Sequence, residues 1–216
     1  MKALHGLPDS PQRILEIGCG KGIATRILAQ HCAAQIIACD NDQPALDALD
    51  NILAAAGWQN RVSTLCADMQ ALPASLGVFD LIWSETSAYV MGVEQALRSW
   101  RSFLTERGVL VLSDLVWLTD SPSAQAQAFW ANEYPDITQV HTRLEQMTRA
   151  GYRVLEHFTL SRAAWEAYWL PLQHRVDELA DEMPDSAALD DIRRELEVYR
   201  EHLGEFGYQM VILQAC

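Results

Sequence analysis

The sequence predicts an α/β fold in which helices cover a largely parallel β-sheet. Three observations support this class: short apolar runs alternate with amphipathic stretches, glycine and proline separate them, and no internal repeat or low-complexity linker interrupts the order. The chain has 216 residues, half of them hydrophobic. That length suits one domain with an inserted segment.

The first half of the chain alternates regularly. Strands are predicted at 13–17, 35–40, 61–66, 78–84 and 109–113, and helices at 23–31, 44–56 and 94–106. Pro44 suits the first turn of its helix, and Gly108 suits a helix end. Leu97, Trp100 and Leu104 recur at helical spacing, which extends the third predicted helix to 106.

The second half is less regular and is predicted to contain a helical hairpin. Further helices are predicted at 123–133 and 138–149, and further strands at 152–160 and 208–215. Between these strands, two apolar stripes predict paired helices with a turn at Pro184-Asp-Ser186 and a bend near Pro171. We therefore expect a single domain over 1–216 with a helical lid inserted at 161–206.

The charge of the chain excludes some classes of partner. It carries 16 basic and 29 acidic side chains, a net charge of −13. Such a field repels nucleic acid and anionic membrane surfaces, so neither is expected to bind. Residues 174–205 hold eleven acids against four arginines, which favours a solvated helix surface.

The amino-terminal segment and the cysteines favour a cytoplasmic protein without a metal. Residues 1–12 lack the apolar core of a signal peptide, and no apolar run is long enough to span a bilayer. The five cysteines lack metal-ligand spacing and are expected as reduced thiols. No histidine pair has the spacing of a zinc helix, and His174 and His202 are expected to be solvated.

The most informative segment is the turn Ile14-Leu-Glu-Ile-Gly-Cys-Gly-Lys-Gly22. Three glycines between a strand and a helix let the backbone approach a ligand near the free N–H groups of the helix. The next strand ends at Asp40, whose carboxylate can accept hydrogen bonds from two ribose hydroxyls. Together these features predict an adenosine-type ligand. The dinucleotide fingerprint is disfavoured because Ile23 stands where its third glycine belongs.

The segment Leu15-Glu-Ile-Gly-Cys-Gly-Lys-Gly22 resembles motif I of the class I S-adenosylmethionine-dependent methyltransferases. Asp40 matches the ribose-binding acid of that family, and Cys66-Ala-Asp-Met69 is similar to its adenine-binding segment. Residues 79–85 and 108–112 resemble its fourth and fifth strands. The resemblance implies a doubly wound, seven-stranded mixed sheet of order 3-2-1-4-5-7-6, with an antiparallel last strand.

The same resemblance implies S-adenosylmethionine as cofactor and S-adenosylhomocysteine as product. The implied cofactor-binding residues are Glu16, Gly18, Cys19, Gly20, Gly22, Asp40, Asn41, Asp68, Met69 and Ser84. In the family, the acid at Glu16 orients the methionine amino group and the acid at Asp68 takes the adenine amino group. Glu16 has an alternative role as a strand-end acid bonded to loop N–H groups.

Glu85 and Tyr89 are the candidate catalytic residues. They follow the fourth strand, at the edge of the sheet where ligands of open α/β sheets bind. Glu85 is expected to contact the substrate or act as a base, and its alternatives are fixing the loop or contacting the cofactor ammonium. Tyr89 is expected to line the same pocket or to pack in the core. The segment Ser84-Glu-Thr-Ser-Ala-Tyr89 is similar to a bacterial subgroup of small-molecule methyltransferases with a helical insertion.

The leading hypothesis is therefore methyl transfer to a small-molecule acceptor by in-line displacement. A protein or nucleic-acid methyltransferase, a nicotinamide oxidoreductase, and a non-catalytic cofactor-binding or partner subunit remain as alternatives. The hairpin covers the pocket alone or with a partner subunit of a homodimer, and the sequence leaves both arrangements open.

Overall fold

Strands and helices alternate along residues 2–216, which the computed structural model describes. The strands are β1 (Arg13–Ile17), β2 (Gln35–Asp40), β3 (Val62–Cys66), β4 (Phe79–Ser84), β5 (Leu104–Trp117), β6 (Thr138–Gln139), β7 (Tyr152–Thr159) and β8 (Phe206–Ala215). The helices are α1 (Lys2–His5), α2 (Ile23–His31), α3 (Gln43–Ala56), α4 (Val93–Trp100), α5 (Ala124–Glu133), α6 (Val140–Arg149), α7 (Arg162–Leu179) and α8 (Ala187–His202). Short 3-10 helices occupy Ala74–Leu76, Ala88–Val90 and Arg101–Phe103.

The sheet has the order β3-β2-β1-β4-β5-β8-β7, and β6 pairs with β5. The pairs β1–β2, β1–β4, β2–β3 and β4–β5 are parallel. Strand β8 runs antiparallel to β5, because Gln214 donates to the carbonyl of Arg107 whereas Leu118 donates to that of Glu205. With β7 and β8 as the sixth and seventh main strands, the predicted order is confirmed.

The small strand β6 is an addition to the predicted seven. The helix predicted at 138–149 is wrong at its first two residues, because Thr138 and Gln139 pair in parallel with Val116 and Trp117 of β5. The helix α6 begins only at Val140. Two residues are too few for a period in the sequence to distinguish a strand from the first turn of a helix.

The boundary between α4 and β5 also differs from the prediction. Helix α4 ends at Trp100, and Leu104 already pairs with Phe79 as the first residue of β5. Both Trp100 and Leu104 are buried, so their helical spacing reflects burial on two different elements. Gly108 accordingly lies inside a strand instead of ending a helix.

The chain divides into two compact units. The first contains the residues up to Asp114, together with His141–Phe158 and Met210–Cys216. Apolar side chains of its strands and of α4 form its core, which includes the fully buried Trp100. A buried ion pair joins Asp114 of β5 to Arg143 of α6 at 2.7 Å.

The second unit comprises Leu115–Val140 and Thr159–Gln209 and includes α5, α7 and α8. Its core is aromatic: the rings of Trp165 and Tyr199 lie 5.0 Å apart, as do those of Trp130 and Phe206. Helices α7 and α8 are present where the hairpin was expected, and α7 contains Pro171. The single-domain division and the role of this hairpin as a lid stay predictions.

The surface of the second unit is strongly acidic. Nine of the eleven acidic side chains in 174–205 are exposed to solvent. None of the helices in residues 2–216 combines the length and apolarity needed to cross a bilayer.

Candidate functional site

The turn between β1 and α2 brings the backbone into two different environments. Gly18, Gly20 and Gly22 all have positive φ, at 74°, 50° and 79°. A Cβ added to Gly18 would lie 2.4 Å from the Cβ of Ser87, whereas one added to Gly20 would meet nothing within 4 Å. The turn is therefore packed tightly at Gly18 and bare at Gly20, where a ligand can approach the main chain.

Helix α2 begins at this turn without a side-chain cap. Its N-cap is Gly22, in the left-handed conformation, which has no side chain to cap the helix, and the N–H of Thr25 in the first turn interacts with the carboxyl of Glu16. A Cβ at Gly22 would lie 2.2 Å from Cδ1 of Leu49, so a side chain there would also disturb the packing against α3. The uncapped N–H groups leave the positive end of α2 available to a ligand carboxylate.

Asp40, the last residue of β2, is fixed beside the turn by two main-chain hydrogen bonds. Its Oδ2 accepts from the N–H of Gly20 at 2.7 Å, and its Oδ1 accepts from the N–H of Asp42 at 3.0 Å. A carboxylate oxygen has two lone pairs, so each oxygen retains one for a ligand hydroxyl.

A cavity of about 140 Å³ lies at the carboxyl ends of β1, β2 and β3. It is lined by Ile17, Gly18, Cys39, Asp40, Asn41, Ala67, Asp68, Met69, Gln70 and Val90. Within the described part of the chain this lining has two carboxylates and no basic side chain. The apolar members offer faces for a flat ring, and the carboxylates offer acceptors at its polar edges.

Neighbouring hydrogen bonds hold the cavity wall formed by residues 68–70. Oδ1 of Asp68 accepts from the N–H of Gln70 at 2.8 Å. The carbonyl of Met69 accepts from Nε1 of the fully buried Trp100 at 3.2 Å. This wall is therefore anchored to the core.

Glu16 is buried on β1, next to residues of the turn. It is 2% exposed, and its Oε2 has no hydrogen-bond partner in residues 2–216. Burial raises the pKa of this carboxyl to about 8; Thr25 opposes the shift, and the nearby Glu85 and Asp40 carboxylates add to it.

The loop after β4 is fixed to the strands on both sides. Glu85 accepts from Nε1 of Trp83 at 2.7 Å. The N–H of Thr86 donates to Oγ of Ser113 on β5 at 2.9 Å, and Ser87 Oγ donates to the carbonyl of Ile17 on β1 at 3.0 Å.

Thr86 has a strained backbone with a φ of 50°, in the left-handed region that β-branched residues avoid. The hydrogen bonds of Thr86 and Ser87 hold the loop in this conformation.

The structure brings most of the predicted site residues together. Those that line the cavity are Gly18, Asp40, Asn41, Asp68 and Met69. Cys19, Gly20 and Gly22 form the turn, and burial raises the pKa of the Cys19 thiol. Ser84 is fully buried, and its Oγ lies 2.7 Å from that of Ser87, so it supports the loop. Tyr89 is 48% exposed, in the 3-10 helix that contributes Val90 to the cavity.

Sequence reasoning missed several residues of this region. The lining residues Ile17, Cys39, Ala67, Gln70 and Val90 were not predicted as site residues, although the first three lie at or beside predicted strand ends. The bond between Thr86 and Ser113 had no signal, because 27 positions separate these residues.

A metal-free site stays a prediction. Among residues 2–216, no three His, Cys, Asp or Glu side chains are grouped to hold an ion. The expectation that His202 is solvated is wrong: its side chain is 13% exposed, with Nδ1 2.9 Å from Glu205 Oε1. Its Nδ1 also lies 3.2 Å from Ser123 Oγ, within the second unit.

Comparisons with known proteins find similarity to methyltransferases. Residues 14–108 match a protein family described as "Methyltransferase domain". The chain is 30% identical over 160 residues to a malonyl-[acyl-carrier protein] O-methyltransferase of Halorhodospira halophila, covering 72% of this chain and 51% of the relative. It is also 34% identical over 62 residues to a tRNA1(Val) (adenine(37)-N6)-methyltransferase of Bacteroides fragilis, covering 29% of this chain and 26% of that protein.

Among solved structures, a S-adenosyl-L-methionine-dependent methyltransferase from Geobacter sulfurreducens, in complex with S-adenosyl-L-homocysteine, has a TM-score of 0.81. It is 18% identical and covers 100% of this chain and 88% of its own, which is a likeness of fold. The chain spans about half the length of the first curated relatives that it matches.

Proposed function

We propose that this chain, whose residues 14–108 match a methyltransferase family model, is a class I S-adenosylmethionine-dependent methyltransferase that methylates a small-molecule acceptor and releases S-adenosylhomocysteine. The observation that carries the proposal is the carboxylate of Asp40, fixed against Gly20 beside the cavity. S-adenosylmethionine supplies an activated methyl group on a sulfonium centre, which an acceptor takes by in-line displacement. The task of the protein is then alignment and exclusion of water.

The residues present fit this cofactor. Gly20 has open space where a Cβ would lie, and the free lone pairs of Asp40 suit the two ribose hydroxyls. Asp68 suits the adenine amino group, with Met69 beside it in the lining. The uncapped start of α2 suits the ligand carboxylate, and the orphaned oxygen of Glu16 suits its ammonium group.

Glu85 is proposed to accept a hydrogen bond from the methyl acceptor. Trp83 binds its Oε1, which fixes the carboxylate while leaving acceptor capacity on Oε2. The strained, doubly anchored loop holds this side chain at the edge of the sheet, so little motion is lost on binding. Tyr89 is proposed to contact the same acceptor, since its half-exposed side chain follows Glu85 by four residues at the same edge of the sheet.

A small acceptor is favoured over nucleic acid by charge. The net charge is −13, and none of the cavity-lining side chains named above is basic. A phosphate backbone would meet repulsion there without releasing counterions. The named relatives act on a carrier-bound malonyl group in one case and on tRNA in another, so the acceptor class of this chain requires a direct test. A cytoplasmic location is proposed because all five cysteines are free thiols.

The proposal is tested by titration calorimetry with S-adenosylmethionine, S-adenosylhomocysteine and NAD. We expect both sulphur nucleosides to bind at micromolar concentration and NAD not to bind. The chain and S-adenosylmethionine are then incubated with fractionated metabolites, with carrier-bound acyl groups or with tRNA. Formation of S-adenosylhomocysteine in one of these mixtures identifies the acceptor class. Turnover with tRNA and with none of the other mixtures would contradict a small-molecule acceptor. Binding of S-adenosylmethionine without turnover in every mixture would favour a non-catalytic subunit.

A further inference from the structure

Glu16 is an acid in a place without a compensating cation. Its side chain is 2% exposed, and Oε2 makes no hydrogen bond within residues 2–216. None of the ion pairs formed by the described side chains includes it. An ionised carboxylate in such a position has a high free energy unless a positive charge arrives from outside the chain.

Most of the groups that face Glu16 further disfavour a negative charge on its carboxyl. Asp40 comes from the end of β2, Glu85 from the loop after β4 and the Cys19 thiol from the glycine turn. Thr25, on α2, is the neighbour that favours the ionised form. Two acids and one thiol therefore surround the carboxyl, and only the hydroxyl and the N–H of Thr25 oppose them, neither of which carries a full positive charge.

We propose, on the basis of the function proposed above, that Glu16 carries a proton when the cavity is empty and releases it to solvent when the ligand's α-ammonium group binds. The O–H bond of the carboxyl breaks, the proton goes to the buffer, and the ammonium group keeps all its own protons. The charge near Glu16 is then compensated by the ligand. Cofactor binding is thus coupled to the release of one proton.

The coupling between ligand binding and proton release determines how the affinity for the ligand changes with pH. The free protein holds the proton up to a pKa of about 8, and the complex does not, so raising the pH favours the complex. Ionisation of Glu16 alone should raise the affinity about fifty-fold from pH 6 to pH 8, and loss of the ligand's own ammonium proton should oppose a further rise at higher pH. At pH 7, about 0.9 proton should be released for each ligand bound.

The test is calorimetric titration of the intact chain with S-adenosylhomocysteine at pH 7 in buffers of different ionisation enthalpy. The ligand's ammonium group remains protonated at this pH, so the released proton comes from the protein. Glu16→Gln should bind more weakly and release no proton, whereas Glu94→Gln, at a half-exposed acid of α4 paired with Arg98, should release it as the unchanged chain does. Methylthioadenosine, which lacks the amino-acid group, should bind the unchanged chain without proton release.

A measurement on the unchanged chain keeps the test independent of how Glu16→Gln folds. Carbon-13 NMR of the glutamate carboxyls should show one side chain that is protonated at pH 7 and ionises when S-adenosylhomocysteine is added. Binding without proton release, or with equal release by Glu16→Gln, would overturn the inference and leave the proposed function intact. Absence of binding at any pH from 6 to 9 would instead overturn the proposed function.

Discussion

Ser87 and Gly18 fit together so closely that a Cβ built on Gly18 would lie 2.4 Å from the Cβ of Ser87. The same serine donates to the carbonyl of Ile17, so the loop after β4 is held against the glycine turn. Glycine at position 18 is therefore a condition for the two segments to meet.

A pair of glycine variants should separate folding from binding. Gly18→Ala should lower the melting temperature strongly, because the methyl group collides with Ser87 at a backbone position with a φ of 74°. Gly20→Ala should cost only about 1 kcal/mol of stability for its left-handed backbone, since its Cβ meets no protein atom. Its affinity for S-adenosylhomocysteine should nevertheless fall at least about tenfold. Equal affinity of Gly20→Ala and the unchanged chain would argue against a ligand at this turn.

Asp40→Ala should weaken S-adenosylhomocysteine binding by at least about tenfold. Two charge-assisted hydrogen bonds of about 1.5–3 kcal/mol each are lost, and the N–H of Gly20 loses the acceptor that now orients it. Asp47→Ala provides the control, because the Asp47 carboxylate is exposed on α3, where it accepts from Nε2 of Gln43. Calorimetry measures both affinities, and an unchanged dissociation constant for Asp40→Ala would contradict the site.

Glu85→Gln should reduce turnover more than cofactor binding. The amide keeps the shape of the side chain and can still accept from Trp83, but it no longer offers a carboxylate to the acceptor. Turnover is measured as S-adenosylhomocysteine release with the acceptor found in the screen, and affinity by calorimetry. If both fall equally, Glu85 acts on the cofactor instead.

Because the backbone of Thr86 is strained and held by Ser113, substitutions at these two positions should change the free energy of unfolding in opposite directions. Thr86→Gly should raise the free energy of unfolding by about 1 kcal/mol, because glycine adopts a φ of 50° without steric cost. Ser113→Ala should lower it by about 1–3 kcal/mol, because the N–H of Thr86 loses its acceptor. Urea unfolding measures both changes. A destabilising Thr86→Gly would mean that the threonine side chain contributes more than its backbone costs.

Glu16 should make the empty protein less stable at alkaline pH. Its pKa is raised from 4.5 to about 8 in the folded state, so the folded chain binds more protons than the unfolded chain between these values. The free energy of unfolding therefore falls as the pH rises from about 5 to about 8. Thermal unfolding of Glu16→Gln should show a smaller fall over that range, and parallel curves for the two proteins would contradict the assignment.

The cofactor half of the site was predictable because its signals are local in sequence. Glycines at 18, 20 and 22 and acids at strand ends carry their meaning within short segments. The contacts of the loop after β4 could not be predicted in this way, because the hydrogen-bond partners of Thr86 and Ser87 lie on β5 and β1. The raised pKa of Glu16 likewise depends on burial and on carboxylates from two other elements, which no local pattern records.

The errors in the fold have a similar origin. Leu104 has the helical spacing of its neighbours but is buried because it pairs with Phe79. His202 lies in a highly charged segment, yet Ser123 and Glu205 enclose its ring. In both cases a tertiary contact overrides what the adjacent residues indicate.

The position of β8 between β5 and β7 has a consequence for synthesis of the chain on the ribosome. Its two neighbours emerge first, and α7 and α8 follow before the strand that joins those neighbours exists. At a synthesis rate of about 5–20 residues per second, the facing edges of β5 and β7 remain without their partner strand for several seconds. During that interval they are open to pairing with other nascent chains, so crowded polysomes or slow codons before Phe206 should promote aggregation.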